Sequence, residues 1–182
     1  MMLQGLPPMV ASNTRLLILG SFPSVKSLQL QQYYAHPQNQ FWRLVFTAFL
    51  GGEPACNVRA MCASSYEKRS KILLEMGVGL WDVYGACERE GSLDSAIRNA
   101  QVNDFAALKA RCPQLVTIAH NGGESFKHAP HSAKLGLPVH KLPSSSPANA
   151  SWSFERKLQM WRAVLQQAAP SSSQAPAVVT QP

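Results

Sequence analysis

Leu16-Leu-Ile-Leu-Gly-Ser-Phe-Pro-Ser24 decides the fold. Its first four residues are an unbroken apolar run, which reads as a strand buried on both faces. Gly20 and Pro23 then turn the chain into a loop at the strand's carboxyl end, where open α/β sheets place their ligands. The loop stays polar and aromatic through Tyr33-Tyr-Ala-His-Pro-Gln-Asn-Gln-Phe-Trp42 and feeds a helix starting near Phe41. Far downstream a second loop, Leu142-Pro-Ser-Ser-Ser-Pro-Ala-Asn149, again follows an apolar run. Two loops at the ends of two strands can face each other across one cleft.

Outward from these stretches, strands and helices alternate. Further strands are expected at 78–83, 115–119 and 139–142, and helices over 41–50, 66–76, 103–112, from 123, and over 153–167. Phe41, Leu44, Val45 and Ala48 share one face of the first helix, and Gly77 ends the second. Asn103 or Asp104 caps the third, which turns Phe105, Leu108 and Cys112 inward and stops at Pro113. Phe154, Leu158, Trp161 and Leu165 stripe the last. This alternation predicts α/β class: a single three-layer α/β/α domain over 1–169, around a central, mostly parallel four-stranded sheet. From Pro170 the chain is rich in Ser, Gln, Ala and Pro, so 170–182 is expected to be a disordered tail.

At 182 residues and 46% hydrophobic composition, the chain can fill one core. It has no apolar run long enough to span a membrane, and its N-terminus lacks the basic and apolar regions of a signal peptide. A cytoplasmic protein is the default expectation. Seventeen Lys and Arg face ten Asp and Glu, a net charge of +7, which favours an anionic partner such as nucleic acid. The positive charge is scattered; its densest cluster, Lys68, Arg69 and Lys71, reads equally well as a solvated helix face. The four cysteines, Cys56, Cys62, Cys87 and Cys112, match neither a zinc nor an iron–sulfur spacing, so no metal is expected. Phosphate-loop and dinucleotide fingerprints are absent, which argues against a nucleotide-binding protein.

The two loops resemble the first and second motifs of the uracil-DNA glycosylase superfamily, and most closely those of its hypoxanthine-DNA (deoxyinosine) glycosylase branch, family six. The resemblance runs over about 15–161. It implies a monofunctional DNA glycosylase of base-excision repair that flips a deaminated base, chiefly hypoxanthine, out of DNA and hydrolyses its N-glycosidic bond by water attack at C1′. DNA containing deaminated bases is the implied partner, with no cofactor and a monomeric enzyme. The alternatives are a uracil or mismatch-specific uracil/thymine glycosylase and, from another class, a non-catalytic nucleic-acid-binding module on the same fold.

N-glycosidic hydrolysis passes through an oxocarbenium-like transition state, with the sugar turning positive and the departing base negative. The site must chiefly hold a water below C1′ and stabilise the base's charge. Many superfamily members hold that water with the Asn or Asp of a Gly-x-Asn-Pro or Gly-x-Asp-Pro turn. Here the turn is Gly20-Ser-Phe-Pro23, and Phe22, counted among the substrate contacts, cannot orient water. In the branch resembled, the Asn of His-Pro-x-Asn-x-Phe-Trp is functional instead. That makes Asn39 the catalytic candidate, against a competing role as the cap of the helix near Phe41. Tyr34 falls where relatives stack an aromatic on the extruded base.

Asp82 ends the strand in Gly79-Leu-Trp-Asp-Val83, where uracil-specific relatives carry a base-reading Asn. A carboxylate accepts the N1–H of hypoxanthine and repels the bare N1 of adenine, though it also accepts the N3–H of uracil. A turn-capping Asp is the competing reading. Asn121, in His120-Asn-Gly-Gly123, contacts the base or sugar-phosphate, or serves as the turn residue before two glycines. Ser144, Ser145, Ser146, Pro147 and Asn149 form the loop that, by resemblance, pinches the DNA backbone. Asn149 or a neighbour is its expected wedge.

Overall fold

The computed structural model describes residues 1–51 and 55–168. In chain order its strands are β1 (Met2–Gln4), β2 (Leu16–Gly20), β3 (Val78–Asp82), β4 (Tyr84–Glu88), β5 (Arg98–Val102), β6 (Thr117–Asn121) and β7 (Val139–Leu142). Its helices are α1 (Val25–Leu30), α2 (Phe41–Phe49), α3 (Ala55–Cys62), α4 (Tyr66–Glu75), α5 (Phe105–Arg111), α6 (Gly123–Phe126), α7 (Ala129–Ala133) and α8 (Phe154–Ala168). The expected tail, 170–182, lies outside the described residues.

The main sheet has four strands in the order β3-β2-β6-β7, and every pairing in it is parallel. The apolar run 16–19 lies in β2, an inner strand buried along its whole length. Successive side chains of a strand point to opposite faces, so β2 feeds two cores. Leu16 and Ile18 pack with Phe41, Leu44, Phe46, Leu73, Trp161 and Leu165 from α2, α4 and α8. Leu17 and Leu19 pack with Phe105, Leu108 and Cys112 of the α5 side and with Val83, Tyr84 and Cys87. The amphipathic stripes of α2 and α8 meet in the first of these cores.

One expected boundary moves, one open alternative is decided, and one element is new. The third strand of the sheet is Thr117–Asn121 rather than 115–119, because Leu115 closes a turn onto the Cys112 carbonyl at 3.0 Å before the ladder begins. Leu115 is buried, which gives it the look of a strand residue. The helix cap is Asp104, whose carboxylate accepts the Ala107 N–H at 3.0 Å. The second layer also holds an unforeseen sheet, three antiparallel strands in the order β1-β4-β5. All five residues of β5 are exposed, so no apolar alternation marks it.

Parallel pairing brings the carboxyl ends of the main strands to one edge. Gly20 pairs with Asp82, and Asn121 with Leu142. The N-terminal segment packs against β3 and fixes its outer edge. Met9 and Leu80 exchange backbone hydrogen bonds at 2.9 and 2.8 Å. A Cβ on Gly79 would meet Val10 Cγ1 at 2.8 Å and Thr14 Cγ2 at 2.9 Å, whereas one on Gly123 meets nothing within 4 Å. Gly79→Ala should therefore cost about 1–3 kcal/mol through overpacking, while Gly123→Ala should be neutral or stabilise by roughly 0.4–1 kcal/mol. Urea denaturation of both variants at one pH tests the contrast; equal stabilities would contradict it.

Candidate active site

A cavity of about 920 Å³ opens at the carboxyl edge of the main sheet. Phe22, Tyr34 and Asn39 of the first loop line it, with Asp82, Asn121 and the second loop from Ser144 to Asn149. All the residues singled out from the sequence thus border one space.

The first loop is held rigidly. Tyr33 donates its hydroxyl to the Pro7 carbonyl at 3.0 Å and its backbone N–H to the Tyr66 hydroxyl at 3.1 Å. Tyr34 sits at φ 53°, the left-handed region, and its ring stacks on Phe41 with centroids 3.9 Å apart and planes 13° off parallel. Asn39 stands at both the entry of α2 and the cavity wall. Its Oδ1 accepts the Phe41 N–H at 2.9 Å, capping the first turn of α2, while the side chain borders the cavity. A carbonyl oxygen has two lone pairs, so the cap leaves one for a water and fixes where it points.

Asn121 ties the two loops together. Its Nδ2 donates to the Tyr34 hydroxyl at 3.2 Å and to Ser145 Oγ at 2.8 Å, and its Oδ1 accepts the Ser145 N–H at 2.9 Å. Both amide protons are engaged, which leaves one Oδ1 lone pair for a ligand. Ser145 is buried, and its carbonyl accepts the Gln40 N–H at 2.9 Å. The outward groups of the second loop are therefore those of Ser144, Ser146, Pro147 and Ala148. Ser144 Oγ accepts the Ser146 N–H at 3.2 Å, and Asn149 Nδ2 donates to the Ser144 carbonyl at 3.2 Å. Asn149 is held back inside the loop, and Pro147 and Ala148 form its exposed tip.

Phe22 is 6% exposed and packs chiefly in the second core, meeting the cavity with its edge of accessible surface. A strap that the sequence did not reveal, the connection from β4 to β5, grips the turn around it. Ser21 donates to Asp94 Oδ1 at 2.6 Å, the Val25 N–H donates to Ser92 Oγ at 3.0 Å, and Arg89 donates to the Pro23 carbonyl. The Arg89 guanidinium also lies 5.0 Å from the Phe22 ring centroid. Ser92, Leu93 and Asp94 reach the cavity wall, and Leu93 is 62% exposed. A Gly-Ser-rich stretch with one Asp carries no pattern that separates such a strap from an ordinary surface loop.

Asp82 is the unusual group. It is 4% exposed, its Oδ2 is buried without a hydrogen-bond partner, and a Cβ on Gly20 would collide with its carboxylate. Burial, reinforced by Asp94 and opposed by Arg89, pushes its pKa up to about 7. His120, one residue from Asn121, is buried with its ring nitrogens 2.7 and 2.8 Å from the hydroxyls of Ser125 and Ser132, and burial lowers its pKa to about 4. It braces α6 and α7 against β6 as a neutral ring. Among the described residues, no three His, Cys, Asp or Glu side chains gather as a metal site, and no helix is long and apolar enough to cross a membrane.

The raised pKa of Asp82 has a stability consequence. The unfolded chain releases this proton near pH 3.8 and the folded chain near 7, so folding loses stability as pH rises between those values and stays level above. Asp82→Asn should therefore be more stable than the parent at pH 8 by up to about 4 kcal/mol, and little different at about pH 3.5. Urea denaturation at both pH values measures this, and a pH-independent difference would contradict it.

The chain matches the model of the uracil DNA glycosylase superfamily over residues 7–168. It is 43% identical over 164 residues to a hypoxanthine DNA glycosylase of Methanosarcina acetivorans, covering 90% of this chain and 98% of that one. It is 38% identical over 146 residues to a hypoxanthine DNA glycosylase of Methanosarcina barkeri, covering 80% and 87%. A solution structure from Methanosarcina acetivorans, provisionally named a uracil DNA glycosylase, superposes with a TM-score of 0.79 at 41% identity, over 92% of this chain and 99% of that one. A family match across nearly all the described fold, on a parallel sheet whose strand ends carry both motif loops, establishes that the chain belongs to the uracil-DNA glycosylase superfamily.

Proposed function

We propose that the chain is a monofunctional DNA glycosylase of base-excision repair that removes deaminated bases, chiefly hypoxanthine, acting as a monomer without a cofactor. The observation that carries this is the meeting of Asn39, Tyr34 and Asp82 in one cavity. Two similar proteins named hypoxanthine DNA glycosylases support the choice of base.

An extruded nucleotide enters this cavity base first. Phe41 covers one face of the Tyr34 ring, so the base stacks on the other, a contact worth about 1–3 kcal/mol. Asn39 holds a water below C1′. The water oxygen bonds to C1′ as the C1′–N9 bond breaks, the bonding pair leaves with the base, the water's surplus proton passes to solvent, and the base anion takes a proton from solvent. Asp82 then acts in two forms. As a neutral acid it accepts hypoxanthine N1–H and donates to O6, where negative charge gathers as the base departs. As a carboxylate it accepts N1–H and rejects adenine, whereas the neutral acid can pair with adenine in the opposite sense. Base selectivity against adenine should accordingly sharpen as pH rises through about 7.

Uracil offers the same N–H and C=O pair, so Asp82 does not exclude it. The likeness to the structure named as a uracil enzyme keeps that reading open. Against it stands Phe22, which fills the position where many uracil enzymes hold water. Lys141 borders the cavity, but its ammonium lies 5.4 Å from the Phe126 ring centroid, on an exposed side chain. No Schiff-base step is invoked, and strand cleavage should appear only after alkali.

The deciding experiment incubates the protein with oligonucleotides carrying hypoxanthine, uracil, xanthine or adenine, at about pH 6 and about pH 8, followed by alkali. Hypoxanthine should leave fastest. Uracil leaving equally fast would favour the uracil reading, and no release from any base would favour a non-catalytic module. Asn39→Ala should lower the single-turnover rate by about 10²–10³-fold with DNA binding nearly intact. A rate within a few-fold of the parent would reduce Asn39 to its capping role.

A further inference from the structure

The first loop is a wall common to two cavities: Tyr34, His36 and Asn39 border the active cavity on one side and a second space of about 860 Å³ on the other. The second is lined from α2, α3, α4 and α8, and its charged lining is cationic. Arg43, Arg59, Arg69 and Arg162 border it, and no Asp or Glu does so among the described residues. Three N–H donors of this lining, Trp42 Nε1, Arg69 Nε and Arg162 Nε, are buried without a hydrogen-bond partner. Trp42 itself is only 5% exposed.

Among the described residues no carboxylate pairs with these arginines, and two of them are held by other contacts. Arg69 donates to the Cys62 carbonyl at 2.8 Å and lies 5.0 Å from the Trp42 ring centroid, and Arg43 lies 3.9 Å from that of Phe154. Aromatic faces and a carbonyl hold these guanidinium groups while their charge stays available. Four cations with no opposing carboxylate among the described residues match a group with several anionic oxygens, which guanidinium forks bind well. We propose that this arginine-walled cleft is a second anion site, taking a backbone phosphate of the DNA strand that flanks the extruded base. That the phosphate belongs to DNA rests on the glycosylase reading, since the wall of Tyr34, His36 and Asn39 is common to the active cavity and this cleft. Free phosphate would satisfy the same donors.

The test measures binding of the full chain to lesion-free duplexes of roughly 10 and 25 base pairs across a range of salt. It compares the parent with Arg59→Ala/Arg162→Ala and with Arg59→Lys/Arg162→Lys. The alanine pair should bind the longer duplex about tenfold more weakly at moderate salt and lower the log–log salt slope by roughly 1–2. The lysine pair should restore the slope, and the single-turnover rate at saturating protein should stay within about twofold in both. Unchanged affinity and slope in the alanine pair would overturn the proposal. So would equal losses in the two pairs, which would assign the arginines to packing. In a parallel arm, inorganic phosphate that raises the melting temperature of the parent but not of the alanine pair, while their DNA slopes coincide, would assign a free anion and overturn the DNA site. Because binding is read on lesion-free DNA, a parent that binds it but releases no base from the lesion-bearing oligonucleotides would sink the glycosylase reading and leave the cleft result standing.

Discussion

Everything at the carboxyl edge of the sheet depends on one amide. Asn121 stands at the end of a strand buried along its length and gives both its protons and its carbonyl oxygen to the two motif loops. Through Tyr34 it fixes the aromatic floor of the cavity, and through Ser145 it fixes the second loop. Ser145 in turn takes the Gln40 N–H, next to the residue whose side chain caps α2. Loops far apart in sequence are thereby set in one geometry before any ligand arrives, which lowers the ordering cost of binding and holds the Asn39 side chain in place.

The same edge leaves one group poorly served. Asp82 has a buried oxygen with no partner, and its neighbours Asp94 and Arg89 act on it in opposite directions. A core position designed for stability alone would not keep a carboxyl there. A buried, unpartnered carboxyl with a raised pKa in a cavity marks a candidate site rather than a stabilising feature.

Much of this was legible in the chain. Leu16 to Leu19 reveal a doubly buried strand because no polar residue interrupts them, and α2 and α8 reveal themselves by stripes that meet in one core. The candidate residues converge because Asp82 and Asn121 end parallel strands and the others lie on the connections that leave the ends of β2 and β7. What escaped has physical causes. The exposed β5 offers no apolar period, so the second sheet leaves no trace in the pattern. Leu115 mimics a strand residue because a buried turn and a buried strand look alike over two positions. The cluster of Lys68, Arg69 and Lys71 divides in space: Lys71 pairs with Glu75 on the surface at 3.8 Å, and Arg69 turns inward to the cleft beside Trp42. A charge count along the chain cannot separate these fates.

The strap from β4 to β5 also sets the unit in which this site can be exchanged among relatives. Ser21, Pro23 and Val25 each hold a partner in the segment from Arg89 to Asp94. A chimera that transplants the first motif alone would separate three loop positions from their anchors and release the turn that presents Phe22. The transplantable module is discontinuous, residues 20–42 together with 89–95, and specificity grafts within this family should move the two pieces as one.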